Sequence, residues 1–428
     1  MRAQTGSTED SAPRLQRSQP LAIKNVASQA HDYGSMRGYQ TTPPRQGISN
    51  QPRPSSRSKA LDLILAFGTK MAPNDCHKLV NANFSIVSTR HEYARYSRQL
   101  ILPEIGTEGQ SALQNSSVSV VGCGATGSIV LNLLARTGVG ELTVIDRDFV
   151  ELTNLQRQVL FDEGDLDLPK ALVASEKVRR ANSDIVVHDI IKDLNLNNAE
   201  DILGHSDLIV DGTDNMETRF LVNDVCTKHE IPWVYCGAVG THGMVMPIIP
   251  RATPCLRCFI PNIPPQGVLQ TCDLAGVLNT IPPIIASIAT TEAIRILLGK
   301  QATDTKLIIY DVWEQTLQKI NVVKDQSCQC CVESQFEFLD AKKGDKITTL
   351  CGRDAVQITP AREGTIKLAE LAGNLDRIGR VKHNEYTLLF KDPHTEFEMT
   401  LFRDGRAIIK GTRDPEAAKS IYARYVAR

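Results

Sequence analysis

The sequence predicts an α/β protein built on a doubly wound, mostly parallel sheet. Three observations predict it. Strand-like and helix-like segments alternate along residues 118–235, a glycine-rich turn joins the first strand to the first helix, and an acidic residue ends the second strand. Alternation of this kind places helices on the faces of a parallel sheet.

Residues 92–114 read as a helix, a short Leu-Pro loop and a second helix. Val118-Ser119-Val120-Val121 is a buried strand that runs into Gly122-Cys123-Gly124-Ala125-Thr126-Gly127, and an apolar helix continues over 127–137. A G-x-G-x-x-G turn between strand and helix offers backbone N–H groups and a helix N-terminus to phosphate. The fold is therefore Rossmann-like, with a nucleotide site. The strand 142–146 ends in Asp146, 19 residues after Gly127, where a carboxylate can hold a ribose hydroxyl pair. Then come a helix at 169–181, a strand at 185–190, a helix at 198–203, a strand at 207–211, a helix at 216–229 and a strand at 232–235. Segments 237–250 and 306–324 read as extended antiparallel additions. Thr280 to Leu298 is a long apolar helix whose Pro282-Pro283 sits in the first turn, where the N–H has no partner to lose.

Two flanking regions have a different character. Residues 1–60 are rich in Ser, Gln, Pro and Arg and lack apolar periodicity, so residues 1–88 are expected to be a disordered tail. An organelle transit segment, or a true start at Met71, would also fit, but no amphipathic Arg-bearing helix supports the transit reading. Residues 333–428 form a separate small α+β domain: a strand at 354–358, a helix at 365–374, strands at 380–390, 396–402 and 406–410, and a helix from Asp414-Pro415 to Tyr425. Asp404-Gly405 is a strong hairpin signal. The doubly wound, nucleotide-binding unit itself spans 89–332.

Composition narrows the function. A net charge of -1 gives no global attraction to nucleic acid or acidic lipid. No run of about 18 apolar residues predicts a membrane span, and no secretory signal opens the chain. Four of the eleven cysteines fall as Cys255-x-x-Cys258 and Cys328-x-x-Cys331. Paired C-x-x-C knuckles suit a closed tetrahedral zinc site in a reducing, cytoplasmic compartment. Cys330 offers a second choice of ligand, although C-x-x-C has the better bite. Cys123, Cys226 and Cys236 lie on apolar elements and read as small core residues. His188 and His242 have no partner at metal spacing.

A nicotinamide enzyme would share the glycine turn and Asp146. The residues beyond Asp146 separate the two readings. Asn154, Arg157 and Lys170 place an amide and two cations just past the ribose carboxylate, which suits a triphosphate attacked at its α-phosphorus.

Over about residues 91–332 the chain resembles the ThiF/MoeB/HesA family, relatives of the ubiquitin-activating enzymes. The likeness rests on an ordered set: Arg95-Tyr96-Ser97-Arg98-Gln99, the glycine turn, Asp146, Asn154 to Arg157, Lys170, Asp211-Gly212-Thr213-Asp214-Asn215 and the two cysteine pairs. One departure is Ala125, which stands where relatives commonly carry glycine. The resemblance implies ATP-dependent adenylation of a ubiquitin-like sulfur carrier at its C-terminal Gly-Gly, serving thiamine or molybdopterin biosynthesis. The carrier's carboxylate is already an anion, so no general base is needed, and the barrier is charge repulsion and alignment. The resemblance further implies Mg²⁺ on Asp214, a nucleotide contact from Asn215, and a homodimer in which Arg98 crosses into the partner's site. It also makes Cys272 a crossover-loop cysteine, covalent to the carrier in some members and a bystander in others. The C-terminal domain loosely resembles an extension of some bacterial ThiF-type proteins and is no rhodanese. A non-catalytic scaffold, a nicotinamide oxidoreductase and a relative acting on tRNA-bound adenosine are the competing readings.

Overall fold

The structure is a computed structural model that describes residues 93–263, 275–300, 306–340, 346–350, 355–360 and 364–426. The expected tail at 1–88 and Cys272 lie outside the described residues.

Eight strands form the first sheet: β1 (Ser117–Val121), β2 (Glu141–Ile145), β3 (Val186–Ile190), β4 (Leu208–Asp211), β5 (Trp233–Val239), β6 (His242–Ile248), β7 (Lys306–Asp311) and β8 (Thr316–Asn321). Their order is β3-β2-β1-β4-β5-β6-β7-β8. The first five pair in parallel and the last three add antiparallel, as expected from the change of pattern after 237.

The helices between them are α1 (Gly106–Gln114), α2 (Gly127–Thr137), α3 (Lys170–Ala181), α4 (Ala199–Leu203), α5 (Met216–His229), the short α6 (Leu256–Phe259) and α7 (Ile281–Leu297). The sheet is doubly wound because its strands are apolar on both sides. Val118 and Val120 of β1 pack into one core with α2, α3 and α7, while Val121 faces a second core with α4, α5 and α6. β1 lies mid-sheet between β2 and β4, and its C-terminal end is where the strand order reverses. Ligands of such sheets bind at that point.

Before β1 the structure departs from expectation. Only α1 is a full helix there, and residues 97–105 form turns. Tyr96 and Gln99 are spent on anchoring this segment. The Asn182 amide donates to the Tyr96 hydroxyl at 2.8 Å, and Gln99 donates to the Thr137 carbonyl at 2.9 Å.

The second sheet has the order β11-β12-β13-β14-β10-β9. Its strands are β9 (Lys346–Leu350), β10 (Ala355–Thr359), β11 (Arg380–His383), β12 (Thr387–Lys391), β13 (Glu398–Phe402) and β14 (Ala407–Lys410). Helices α8 (Leu368–Leu375) and α9 (Pro415–Tyr425) contribute to its core. The expected strand at 380–390 is a hairpin, because Asn384 turns the chain by accepting the Tyr386 and Thr387 amides at 2.8 Å. The Asp404-Gly405 turn joins β13 to β14, with Gly405 at φ 88. β9 has no counterpart among the expected strands. From Arg95 onward the chain is one compact unit. Among the described residues no helix is long and apolar enough to cross a membrane.

Candidate nucleotide site and cysteine cluster

The glycine turn is shaped by a glycine that the G-x-G-x-x-G motif does not contain. Gly122 has φ 87, and a Cβ there would stand 2.8 Å from the Gly212 carbonyl. A Cβ on Gly127 would stand 1.9 Å from the Gly122 carbonyl, and one on Gly212 2.3 Å from it. Three backbones therefore meet at the ends of β1 and β4. Gly124 differs: a Cβ there would meet nothing closer than 3.8 Å. Its missing side chain leaves open space in front of the turn, as a close approach by phosphate requires.

Asp146 ties the turn to β2. Its Oδ2 accepts the Cys123 amide at 2.6 Å and its Oδ1 accepts the Asp148 amide at 2.7 Å. Burial pushes its carboxyl above the ordinary range, against the opposing pull of the Lys170 ammonium. Lys170 begins α3 and is buried, with Nζ 3.7 Å from Asp148 Oδ2. Burial works against its charge, but Asp148, Asp146 and Asp214 together hold its pKa above the usual value.

Asp214 is exposed and makes no side-chain hydrogen bond among the described residues. Capping of α5 falls to Asn215, whose Oδ1 accepts the Thr218 amide at 2.8 Å. Asn154 is buried and turns its Oδ1 to the Glu151 amide at 3.2 Å. Arg157 is half-buried and donates to the Thr153 carbonyl at 2.9 Å. Ala125 is half-buried within the turn.

Arg98 is not brought to this place. It is exposed, without a hydrogen bond or ion pair among the described residues, on a segment fixed to the far end of α2. The eleven residues of α2 separate that end from the glycine turn. At the usual rise they span about 16 Å, more than an arginine side chain crosses.

Sequence reasoning missed two residues. Arg219 on α5 is buried and donates from Nε to Asp211 Oδ2 at 2.8 Å and from Nη2 to the Thr213 carbonyl at 2.6 Å. It thereby holds the turn that carries Asp214. A lone arginine among the apolar residues of 216–229 was the available signal. Gln158 is also buried, its Oε1 has no partner, and its Nε2 lies 3.9 Å from where a Gly124 Cβ would stand. An orphaned polar atom beside the open space fits a polar ligand there.

The four expected cysteines converge from the α6 knuckle and the segment after β8. All four sulfurs lie within 4.8 Å of one another. Cys255 is 3.6 Å from Cys328 and 4.0 Å from Cys258, and Cys258 is 3.5 Å from Cys331. Sulfurs around a tetrahedral zinc with ordinary Zn–S bonds stand about 3.8 Å apart, so the donor set fits that ion. Hydrogen bonds from Cys255 and Cys331 hold the Cys258 thiol low, while interactions within the same cluster push Cys255 and Cys331 up. Cys330 is committed elsewhere: its sulfur accepts from Asn223 Nδ2 at 3.2 Å and faces Asp224 Oδ1 at 3.4 Å. Asn223 bridges both knuckles, since its Oδ1 also accepts the Leu256 amide at 2.9 Å. Burial pushes the Asp224 carboxyl up to about 6.

Residues 96–332 match the ThiF family. The chain belongs to the ThiF family. It is an adenylyltransferase of the ThiF/MoeB type, and the nicotinamide and non-catalytic readings fall away. The sulfur carrier protein ThiS adenylyltransferase of Bacillus subtilis is 36% identical over 337 residues, covering 78% of this chain and 99% of that protein. The sulfur carrier protein adenylyltransferase of Thermus thermophilus is 38% identical, over 59% of this chain and 96% of that protein. The Arabidopsis thaliana adenylyltransferase and sulfurtransferase MOCS3 is 37% identical, but the match spans only 51% of it. Among solved structures, E. coli MccB with AMPCPP and MccA has a TM-score of 0.50 at 23% identity, over 65% of this chain and 86% of that one, a likeness of fold.

Proposed function

We propose that this chain activates the C-terminal glycine of a ubiquitin-like sulfur-carrier protein. A carboxylate oxygen of the carrier attacks the α-phosphorus of ATP, the bond from that phosphorus to the β-phosphate bridge breaks, and pyrophosphate leaves. The carrier is left as an acyl adenylate ready to accept sulfur, for the thiamine or the molybdenum cofactor.

The observation that carries this reading is the convergence of the open Gly124 turn, the buried Lys170 and the uncommitted Asp214 at the strand-order reversal. In this reading the 122–127 amides, Ala125 included, line the phosphate path, and Asp146 takes the ribose with its remaining lone pairs. Asn154, Arg157 and Lys170 face the phosphates, and Asn215 seats the nucleotide beside Asp214. Mg²⁺ held by Asp214 supplies charge neutralisation on the phosphates. Arg98 serves the site of a partner copy, so the working form is a homodimer. Zinc on Cys255, Cys258, Cys328 and Cys331 is structural, because a closed four-thiolate set leaves no position for substrate. Adenylation needs no thiol, so Cys272 acts, if at all, in the later sulfur step. Paired thiolates of this kind fit the cytoplasm.

Incubation with Gly-Gly carriers and ATP/Mg²⁺ is expected to give carrier-AMP by mass spectrometry and ATP–pyrophosphate exchange. No adduct and no exchange with any carrier tried would overturn the reading. Comparing carriers of the thiamine and molybdopterin types under identical conditions assigns the pathway.

A further inference from the structure

Between Asp146 and Lys170 the chain folds back on itself. The Lys170 amide donates to the Asp148 carbonyl at 2.9 Å, the Val150 amide to the Leu168 carbonyl at 2.9 Å, and the Asp167 amide to the Val150 carbonyl at 3.0 Å. A bridge between Phe149 and Pro169 completes this narrow ladder. Asp146 and Lys170 flank its open end, one on each strand, so its geometry fixes the distance between them.

The six-stranded sheet grips the ladder on both strands. Arg406, just past the Asp404-Gly405 turn, donates from Nη2 to the Arg147 carbonyl at 2.7 Å. Phe402 packs on Phe149 with ring centroids 5.1 Å apart. On the returning strand Lys382 pairs with the Asp167 carboxylate, and Asn384 Nδ2 donates to the Asp167 carbonyl at 3.1 Å.

Arg406 is an unusual residue to spend here. It is 1% exposed, and its guanidinium lies 4.0 Å above the Phe402 ring. Its Nε and Nη1 have no hydrogen-bond partner, and the nearest carboxylate, Asp404 Oδ2, stands 3.6 Å from Nε. A hydrocarbon side chain would fill the same space at lower desolvation cost. What the guanidinium adds is direction. It fixes the Arg147–Asp148 peptide, the second of the two between Asp146 and Asp148, and the Asp148 carbonyl in turn receives the Lys170 amide.

We propose that the six-stranded sheet sets the geometry of the ATP-binding ladder, with Arg406 as the positioning residue that orients the Asp146–Asp148 turn toward the nucleotide. This rests on the ATP reading above. The carrier's own binding is not part of it.

The test uses the full chain with Arg406→Met, Arg406→Lys and the double variant Lys382→Ala/Asn384→Ala. AMPCPP with Mg²⁺ is titrated by calorimetry, exchange kinetics are measured against ATP and carrier separately, and melting is followed in parallel. Arg406→Met is expected to weaken AMPCPP binding and raise the ATP KM about tenfold, the worth of one hydrogen bond. Its kcat and carrier KM should stay within about twofold of the wild type by the same measure. Arg406→Lys should recover part of the affinity. The double variant, which loosens the other strand through exposed side chains, should move the ATP KM in the same direction by less. Folded Arg406→Met protein with wild-type AMPCPP affinity overturns the proposal, and so does a loss confined to kcat. If Arg406→Met does not fold, unchanged nucleotide affinity in the double variant overturns it alone. A wild-type chain that binds no AMPCPP overturns the ATP reading itself and the proposal with it.

Discussion

Asn215 caps α5 by accepting the Thr218 amide at 2.8 Å, and this division of labour leaves the neighbouring Asp214 uncommitted. Either residue has the chemistry of an N-cap. Only one of them is spent on the helix.

The two side chains should therefore fail differently. Asp214→Asn is expected to lower adenylation about 10²–10³-fold, the scale seen when one group that stabilises transition-state charge is removed, with little change in melting. Asn215→Ala should cost about 1 kcal/mol of stability through the lost cap. Melting curves read beside exchange rates check both. Equal losses of stability in the two variants would contradict this assignment.

The glycine turn separates folding from binding in the same way. Gly127→Ala places a methyl 1.9 Å from the Gly122 carbonyl, a backbone atom that cannot swing away. It should destabilise by about 3 kcal/mol or more. Gly124→Ala meets nothing closer than 3.8 Å and should melt like the wild type while binding ATP more weakly, because its methyl enters the open space. Wild-type ATP affinity in Gly124→Ala would show that phosphate does not approach there.

Arg98 and the glycine turn lie at opposite ends of α2, so Arg98 acts across a dimer or not at all in catalysis. Arg98→Ala and Asp214→Ala proteins should each be inactive alone. After subunit exchange a mixture should regain part of the activity, because one hybrid site carries both wild-type side chains. A mixture that stays inactive although mass spectrometry shows mixed dimers rejects the cross-dimer role.

Much of this is legible in the sequence because the main sheet is local in its logic. β1 and β2, the helix after the glycine turn and the helix 216–229 each announce themselves through periodicity and end in a residue with a visible chemical reason. The stretch 97–101, ahead of the expected Leu102-Pro103 loop, misleads because Leu100 and Ile101 give it a helical look, whereas Tyr96 and Gln99 are drawn to Asn182 and Thr137, far along the chain. The hairpin at 380–391 looks like one strand because Asn384 carries no glycine or proline beside it. The packing role of Gly212, and Arg219 altogether, escape notice for a related reason. Their partners, Gly122 and Asp211, are brought to them only by strand pairing and the winding of α5.

The cysteine cluster gives the most exacting test, since two neighbouring cysteines have opposite assignments. Freshly purified protein should hold one zinc per chain. Serine at Cys255, Cys258, Cys328 or Cys331 should lower both metal content and stability, because binding energy at such a site is folding energy. Cys330→Ala should keep its zinc. Its thiol is tied to Asn223 at 3.2 Å and to Asp224 at 3.4 Å, so the variant should lose those two bonds and some packing, about 2 kcal/mol, while the four ligands stay in place. Chelation of the wild type should lower its melting temperature, and chelation of a ligand-serine variant already free of metal should leave it unchanged. Retention of zinc by Cys331→Ser together with its loss from Cys330→Ala would reverse the two roles. It would require the segment after β8 to turn the other sulfur toward Cys255 and Cys258.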